Sequence, residues 1–227
     1  MFKVENVCQH SFIGNWLNSN SIVIDLGMNK GEFTKYIVEH FDCPIIGAEA
    51  NPHVFQKLPK YERLTATNIA IAAKDGTSTL NIPKEGDASL YLNENSNSEQ
   101  IVVESKTFQS FVKTFSLERI DLVKVDIEGA EIDMFDLTED DILQKVVQFT
   151  VEFHDFVDLK MKPKVEKVFQ RLNALGFKRI NFSLNNGDVL FVNTKFCRFS
   201  FLEYINIVVT YKYLPGIKRR LSRIFYR

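Results

Sequence analysis

The chain has 227 residues, of which 45% are apolar and 25% charged, as in a globular protein rather than a disordered one. Its net charge of −1 gives no general reason to expect nucleic-acid binding. We find neither a signal peptide nor an apolar span of transmembrane length, and the three cysteines show no disulfide or metal-binding spacing. A cytoplasmic, reducing location is therefore expected.

Residues 1–20 are predicted to form a leading helix, because four large apolar side chains recur at helical spacing. These are Phe12, Ile13, Trp16 and Leu17. A strand over 21–26 follows, and its run of β-branched residues is typical of a strand covered on both faces. Gly27 and Gly31 then allow a sharp turn into a helix over 31–41.

A second strand begins after Cys43 and ends at Asn51, which is the expected N-cap of a short helix starting at Pro52. A third strand is predicted within residues 64–73. Residues 78–105 have strand-like ends and a polar centre, which predicts a hairpin joined by a loop. Such a loop is a typical place for substrate contacts or a lid, although a plain exposed loop explains it equally well.

The second half repeats the sequence of strand, polar strand end and helix. A helix over 107–115 precedes a strand over 120–125, and a strand over 146–151 precedes an amphipathic helix over 162–175. Residues 177–193 are predicted to form an antiparallel hairpin around an Asn-Asn-Gly turn. Strands that alternate with helices predict one α/β domain, with a mainly parallel sheet and this hairpin at its end.

Four polar clusters fall at the carboxyl ends of predicted strands, and in a parallel sheet these ends meet at one edge. They are Asp25–Gly31, Glu49–Asn51, Asp126–Glu131 and Glu152–His154. Each acid alone is explained by helix capping, but four clusters together predict a ligand site. Glu49 is placed to bind ribose hydroxyls, whereas Asp25 would repel a pyrophosphate. This argues against a nicotinamide oxidoreductase and for a nucleoside that carries a positive charge.

Four segments carry a resemblance to a known family, and they lie within about residues 20–195. They are Asp25–Thr34, Glu49–Pro52, Asn68–Gly76 and Lys124–Glu131. These segments resemble the FkbM-type S-adenosylmethionine-dependent methyltransferases. The resemblance implies a Rossmann-like class I methyltransferase fold with a seven-stranded sheet and helices on both faces. It also implies O-methylation, often of sugars in glycans, glycolipids or other natural products.

The resemblance further implies which residues contact S-adenosylmethionine. They are Asp25, Gly27, Asn29 and Gly31 for the methionine part, Glu49 and Asn51 for the ribose, Asn68 and Ala70 for the adenine, and Asp126 for the sulfonium and the acceptor. One departure concerns Thr107–Gln109, where family members often have a Leu-Asp pair. This departure leaves the cofactor assignment intact, but it weakens any assignment for the part of the site wall next to residues 107–109.

Transfer of a methyl group to a hydroxyl releases a proton, so a nearby base is expected. The candidates are His154 and Asp126, followed by Glu128 and Glu152, and His154 comes first because imidazole titrates near neutrality. A structural histidine at a strand end is the alternative. Asp126, Glu152 and His154 also offer mixed ligands for a divalent metal, but their spacing has no diagnostic pattern, so a metal is left open.

Residues 1–195 are thus predicted to be the methyltransferase domain, and 196–227 an aromatic and basic tail. From Tyr204 onwards there are six cations and no acid. Within 214–227 the apolar and basic residues separate on a helix, which is typical of peripheral contact with an anionic membrane at the cytoplasmic face. A homodimer contact or packing on the body are the alternatives. The expected partner is a glycan or small-molecule hydroxyl acceptor, and the alternative function is a non-catalytic binding module that acts through the tail.

Overall fold

The computed structural model describes residues 2–82, 99–154, 159–183, 185–197 and 200–214. The strands are β1 Val4–Val7, β2 His10–Ile13, β3 Val23–Leu26, β4 Ile45–Ala48, β5 Leu64–Thr67, β6 Ala70–Ile71, β7 Gly76–Ile82, β8 Glu99–Lys106, β9 Leu122–Val125, β10 Gln148–Val151, β11 Phe177–Asn181 and β12 Val189–Asn193. The helices are α1 Glu32–Phe41, α2 Pro52–Phe55, α3 Phe108–Thr114, α4 Glu131–Leu137, α5 Asp140–Leu143, α6 Lys162–Ala174 and α7 Phe201–Ile207. Short 3-10 helices cover Gly14–Trp16 and Leu159–Met161, and a π-helix covers Val208–Tyr213.

In the described part of the chain, seven strands form the central sheet in the order β11-β12-β10-β9-β3-β4-β5. Pairing from β10 to β5 is parallel, whereas β12 is antiparallel to both β10 and β11. The predicted α/β architecture, with a mainly parallel sheet and a terminal hairpin, is confirmed. Because β3, β4, β9 and β10 run in parallel, their carboxyl ends meet at one edge of the sheet.

Each face of the sheet has its own apolar core, because successive residues of a strand point to opposite faces. Ile24 and Val123 pack with apolar side chains of α3, α4 and α6 on one face. The next residues back along these strands, Val23 and Leu122, pack with Phe33 and Ile37 of α1 on the other face. The expected layer of helices on both faces is therefore present.

The prediction of a leading helix over residues 1–20 is wrong. β1 and β2 form an antiparallel hairpin instead, with Cys8 and Gln9 both at positive φ in its two-residue turn. β2 is buried against the sheet, where the Ile13 N–H donates to Gln148 Oε1 at 2.8 Å. These contacts lie more than a hundred residues apart in the chain, so they override the local helical spacing.

The predicted third strand is also divided between two sheets. β5 extends the central sheet, whereas β6 pairs with β8 in a separate three-stranded sheet that also contains β7. The strands of the predicted 78–105 hairpin are present as β7 and β8, which pair from Gly76 with Ser105 to Ile82 with Glu99. Its connecting loop over 83–98 lies outside the described residues.

α7 begins with a capping box between Ser200 and Glu203, and the helix continues as a π-helix to Tyr213. The predicted basic helix over 214–227 lies outside the described residues, except for Leu214. Among the helices that the structure describes, none is long and apolar enough to cross a membrane. The division of the chain at residue 195 stays a prediction.

Candidate functional site

The turn after β3 is shaped by backbone conformations that favour glycine. Gly27, Asn29 and Gly31 all have positive φ, at 74°, 50° and 76°. A Cβ atom at Gly27 would lie 1.8 Å from the carbonyl oxygen of Asp126, at the end of β9. Glycine is therefore needed at this position for the ends of β3 and β9 to approach each other.

Glu49 follows β4 and is held rigidly at the edge of the sheet. Its Oε2 accepts a hydrogen bond from the Asn29 N–H at 2.7 Å, and its Oε1 accepts one from the Asn51 N–H at 2.8 Å. The side chain is 8% exposed, and burial raises the pKa of its carboxyl above the ordinary value despite these two donors. Asn51 in turn caps α2 by accepting from the His53 N–H, as predicted.

An open cleft lies at the carboxyl ends of β3, β4 and β9 and holds about 750 Å³ of empty space, including the part open to solvent. Both polar and apolar residues line it. Its lining consists of Gly27, Asn29, Ala48, Glu49, Ala50, Asn51, Val54, Ile69, Ala70, Ile71, Leu80, Ile82, Asp126, Ile127 and Glu128. Such a combination suits a ligand with a polar body and a flat apolar end.

Three residues assigned by position to cofactor contacts do not line this cleft. Asp25 is fully buried beneath it and accepts a hydrogen bond from Thr34 Oγ1 at 2.7 Å. Gly31 is the N-cap of α1 and faces Pro59. Asn68 donates to the carbonyl oxygens of Glu49 and Ala50 at 2.8 and 3.1 Å, so it supports the loop that carries Glu49.

Lys124 is a buried cation beneath the cleft. Its Nζ donates to the Gly27 carbonyl oxygen at 2.5 Å and lies 3.2 Å from Asp126 Oδ2 and 3.6 Å from Asp25 Oδ1. Burial acts to lower the pKa of this ammonium, but the carboxylates of Asp25 and Asp126 outweigh it and raise the pKa. Lys124 thus joins the ends of β3 and β9 electrostatically.

Asp126 connects the cleft to this buried cluster. Burial acts to raise the pKa of its carboxyl, yet Lys124 and His10 together hold that pKa well below its usual range. His10, on β2, is fully buried, and its Nε2 lies 3.6 Å from Asp126 Oδ2. Asp126 is therefore ionised at any physiological pH.

His154 lies between two carboxylates beyond the end of β10. Its Nδ1 is 3.1 Å from Glu131 Oε1, and its Nε2 is 3.3 Å from Glu128 Oε2. Burial acts to lower the pKa of this imidazole, but the two glutamates outweigh it and raise the pKa to about 9. The expectation that His154 titrates near neutrality is therefore wrong. It assumed a histidine without charged partners, whereas the fold brings two carboxylates to the ring nitrogens.

Glu131 holds this arrangement in place. It is buried at the start of α4, and its Oε1 also accepts hydrogen bonds from the Ile127 and Gly129 N–H groups. Glu128 has a positive φ of 52°, which turns the chain between β9 and α4 beside the cleft. The loop, the start of α4 and the end of β10 thus meet around one imidazole.

Two groups of candidate metal ligands occur among the described residues, and both contain Asp126. One consists of His10, Asp126 and Glu152, and the other of Asp126, Glu128 and His154. The predicted set of Asp126, Glu152 and His154 is not brought together as one group. Burial and the nearby Asp126 charge raise the pKa of the Glu152 carboxyl.

Sequence reasoning missed three residues of this site. The helical spacing within residues 1–20 gives no indication that His10 approaches Asp126. Lys124 and Glu131 both lie within the Lys124–Glu131 segment but received no role. Lys124 lies within an apolar strand, and Glu131 lies at the start of a helix. Such positions indicate a buried cluster of charges, because a buried charge requires a partner.

A model of the methyltransferase FkbM domain family matches residues 25–179. Among solved structures, the chain is similar to human methyltransferase-like protein 13 in complex with SAH, at 11% identity and a TM-score of 0.48, covering 82% of this chain and 78% of that one. It is also similar to M. capricolum TrmK in complex with S-adenosyl-homocysteine, at 10% identity and a TM-score of 0.43, covering 93% and 83%. No curated protein matches the chain in a sequence search.

Proposed function

The chain belongs to the FkbM methyltransferase family, and on this basis we propose that it transfers a methyl group from S-adenosylmethionine to a sugar hydroxyl of a glycan, glycolipid or related natural product. Methyltransferase activity and the cofactor follow from the family. The hydroxyl acceptor is the part that we propose. The observation that supports it is the cluster of carboxylates around Asp126, immediately beside the cleft that contains Glu49.

The residues of the cleft fit S-adenosylmethionine. Glu49 presents two carboxylate oxygens that each retain accepting capacity for a ribose hydroxyl. Ile69, Ile71 and Leu80 offer apolar surface suited to the adenine. The carboxylate of Asp126 suits a positively charged sulfonium. When bound, this cofactor supplies a methyl group that is already activated by its sulfonium.

Of the four base candidates, Asp126 and Glu128 line the cleft, whereas His154 and Glu152 do not. Lys124 and His10 hold the pKa of Asp126 low and make it a weak base, so Glu128 is the better candidate for proton removal. Carboxylates accept hydrogen bonds from hydroxyl groups, so this edge is suited to hold an acceptor hydroxyl and to take its proton. His154 is protonated at neutral pH, and in that form it holds Glu128 in place through their ion pair. We therefore assign His154 a positioning role rather than that of the base.

The proposed function is tested by incubating the full chain with S-adenosylmethionine and separate panels of sugar, phenol and amine acceptors. Formation of S-adenosylhomocysteine is measured, and the methylated atom is identified by NMR. We expect an O-methyl sugar. Methylation of amines alone would overturn the hydroxyl assignment, and cofactor binding without turnover on any panel would favour the non-catalytic binding module.

Cofactor affinity is expected to fall at acidic pH because of Glu49. The ionised carboxylate accepts the ribose hydroxyls, and burial raises its pKa, so protonation begins at a higher pH than for an ordinary glutamate, about 4.3. Affinity for S-adenosylhomocysteine should therefore be constant at and above neutral pH and decline on acidification, beginning at a higher pH than an ordinary glutamate would give. Calorimetric titration at several pH values measures this, and Glu49→Gln should show a flat profile. A flat wild-type profile would contradict the prediction.

Replacing His154 with alanine is expected to lower kcat by about tenfold or more and to change cofactor affinity by less than about twofold. The variant removes the cation that holds Glu128, while Glu49 and its donors remain. Initial rates and calorimetry measure the two effects separately. The matched control is His53→Ala, an exposed residue that should leave both unchanged. Unchanged turnover in His154→Ala would remove the positioning role.

We also propose that the C-terminal segment binds the surface of an anionic membrane. Four exposed apolar side chains share one face of α7 and the following π-helix, opposite the face that packs on the body. They are Leu202, Ile205, Val209 and Tyr213. Residues 215–227 follow directly, and their sequence has five cations and no acid. Apolar and basic surfaces in succession suit anionic lipid.

This contact is tested by sedimentation of the full chain with vesicles that contain or lack anionic lipid. Binding is expected only with anionic lipid, and both deletion of 215–227 and the double variant Leu202→Ser/Val209→Ser should weaken it at least about tenfold. Equal sedimentation of the deleted chain would overturn the proposal. A concentration-dependent dimer that forms in the absence of lipid would assign the same face to a second copy.

A further inference from the structure

We infer that His10, Asp126 and Glu152 form a binding site for a divalent transition-metal ion such as Mn²⁺ or Zn²⁺. The three side chains come from β2, the end of β9 and the end of β10. One ligand atom from each lies within 4.8 Å of the other two. The binding of the ion rests on this geometry alone, whereas its chemical use rests on the proposed function.

His10 is the observation that points to a ligand. Its side chain is fully buried, and its Nε2 has no hydrogen-bond partner. A buried polar nitrogen without a partner is unfavourable, since it loses the hydrogen bond that water would have supplied. This nitrogen is directed towards Asp126 Oδ2, 3.6 Å away. A cation bound at this position would give Nε2 the partner that it lacks.

The other ring nitrogen is placed as in known metal-binding histidines. Nδ1 lies 3.5 Å from Thr150 Oγ1, a hydroxyl oxygen that is able to accept a hydrogen bond from the Nδ1 N–H. A metal-binding histidine usually donates its second N–H to such a group, which fixes the tautomer and leaves the first nitrogen free for the metal. Packing of His10 against Phe33, with ring centroids 6.0 Å apart, further restricts the ring.

The spacing of the three ligands suits a small ion. Metal–ligand distances of about 2.0–2.2 Å place neighbouring ligands of a tetrahedral ion about 3.3–3.6 Å apart. His10 Nε2 and Asp126 Oδ2 already lie 3.6 Å apart, and the Glu152 carboxylate lies within 4.8 Å of the ligand atoms of both, so the closing movement falls mainly to Glu152. Glu152 is only partly buried, so its side chain has the freedom to make this movement.

The local charges also favour a divalent ion. The carboxylates of Asp25, Asp126 and Glu152 face the ammonium of Lys124, which leaves an excess of two negative charges that a divalent cation would neutralise. The second group of candidate ligands is less suitable, because both nitrogens of His154 already face carboxylates. A mixed nitrogen and oxygen set favours Mn²⁺ or Zn²⁺ over Mg²⁺ or Ca²⁺, which prefer oxygen ligands alone.

Asp126 also lines the cleft, so an ion at this site would border the acceptor. A hydroxyl oxygen that coordinates such an ion loses its proton more readily. Asp126 itself is a weak base, because Lys124 stabilises its ionised carboxylate. The metal ion would instead promote ionisation of the acceptor hydroxyl. The proton would pass to a neighbouring carboxylate or to water.

The experiment uses the full chain after dialysis against a chelator. Mn²⁺ and Zn²⁺ are titrated by calorimetry, and the Mn²⁺ complex is examined by pulsed EPR for nitrogen coupling. We expect one ion per chain, imidazole nitrogen coupling, and binding weakened at least about tenfold in both His10→Ala and Glu152→Gln. The exposed residues His53 and Glu104 provide matched controls, and His53→Ala and Glu104→Gln should bind the ion like the wild type.

Affinity for S-adenosylhomocysteine is measured on every variant to show that the cleft is intact. Absence of binding at millimolar metal, binding without nitrogen coupling, or equal binding of Mg²⁺ would overturn the inference. Glu152→Gln keeps the size of the side chain, so it tests the site even if His10→Ala does not fold. Metal binding in a protein that methylates no acceptor would support the site while the proposed function fails.

Discussion

Replacing Glu49 with alanine is expected to weaken the binding of S-adenosylmethionine and of S-adenosylhomocysteine by about 100-fold or more. Each hydrogen bond from a ribose hydroxyl to the carboxylate contributes about 1.5–3 kcal/mol, and two are lost. The substitution also leaves the Asn29 and Asn51 N–H groups without the acceptor that orders the edge of the cleft. Calorimetric titration of the full chain with both ligands measures the effect.

Two control variants separate a lost contact from a lost fold. Glu49→Gln keeps an oxygen acceptor and should lose only about tenfold, because its hydrogen bonds are no longer charge-assisted. Glu104→Ala, at an exposed position of β8, should bind like the wild type. Thermal unfolding checks that all three chains are folded. If Glu49→Ala binds both ligands with unchanged affinity, the ribose lies elsewhere and the assignment of this cleft is wrong.

Replacing Lys124 with methionine is expected to lower the free energy of unfolding by about 3–5 kcal/mol. Methionine fills much of the volume, but it leaves the carboxylates of Asp25 and Asp126 in a buried cluster without their cation. The carbonyl oxygen of Gly27 also loses its donor. Chemical denaturation followed by circular dichroism measures the loss, which is a large part of the stability of a typical domain.

The double variant Lys124→Met/Asp25→Asn tests the electrostatic origin of this effect. Removing one of the two unpaired charges should recover part of the loss, so the two substitutions should not be additive. The matched control is Lys35→Met, which breaks an exposed pair with Glu39 and should change stability by less than about 1 kcal/mol. Equal effects of Lys124→Met and Lys35→Met would show that the buried pairs contribute nothing.

The central sheet was predictable from sequence because its signals are local. The β-branched apolar run 22–24 at β3 indicates a strand covered on both faces, and the structure has β3, β9 and β10 fully buried. The cap at Asn51 followed by Pro52 likewise depends only on neighbouring residues. The edge strands were harder to predict, because whether β6 pairs with β5 or β8 depends on residues distant in the chain.

The candidate site was predictable to the extent that parallel strands bring their ends together. Glu49 and Asp126 could be assigned to one edge before their distance was known, and both line the cleft. The position of a charge relative to this edge was not predictable. Asp25 lies within β3, where it pairs in register with Lys124, whereas Asp126 follows the end of β9. Asp25 is therefore buried beneath the cleft, where Thr34 and Lys124 hold it.

Periodicity, turn residues and caps are properties of a short segment, so they defined the order of strands and helices and the glycine turn at Gly27. Burial and pKa depend on groups that meet only in the folded chain. The tertiary structure alone therefore decided that residues 4–13 form a hairpin, that His10 reaches Asp126, and that two glutamates keep His154 protonated. The contacts of His10 join residues up to 140 positions apart, as with Thr150, and no local pattern records them.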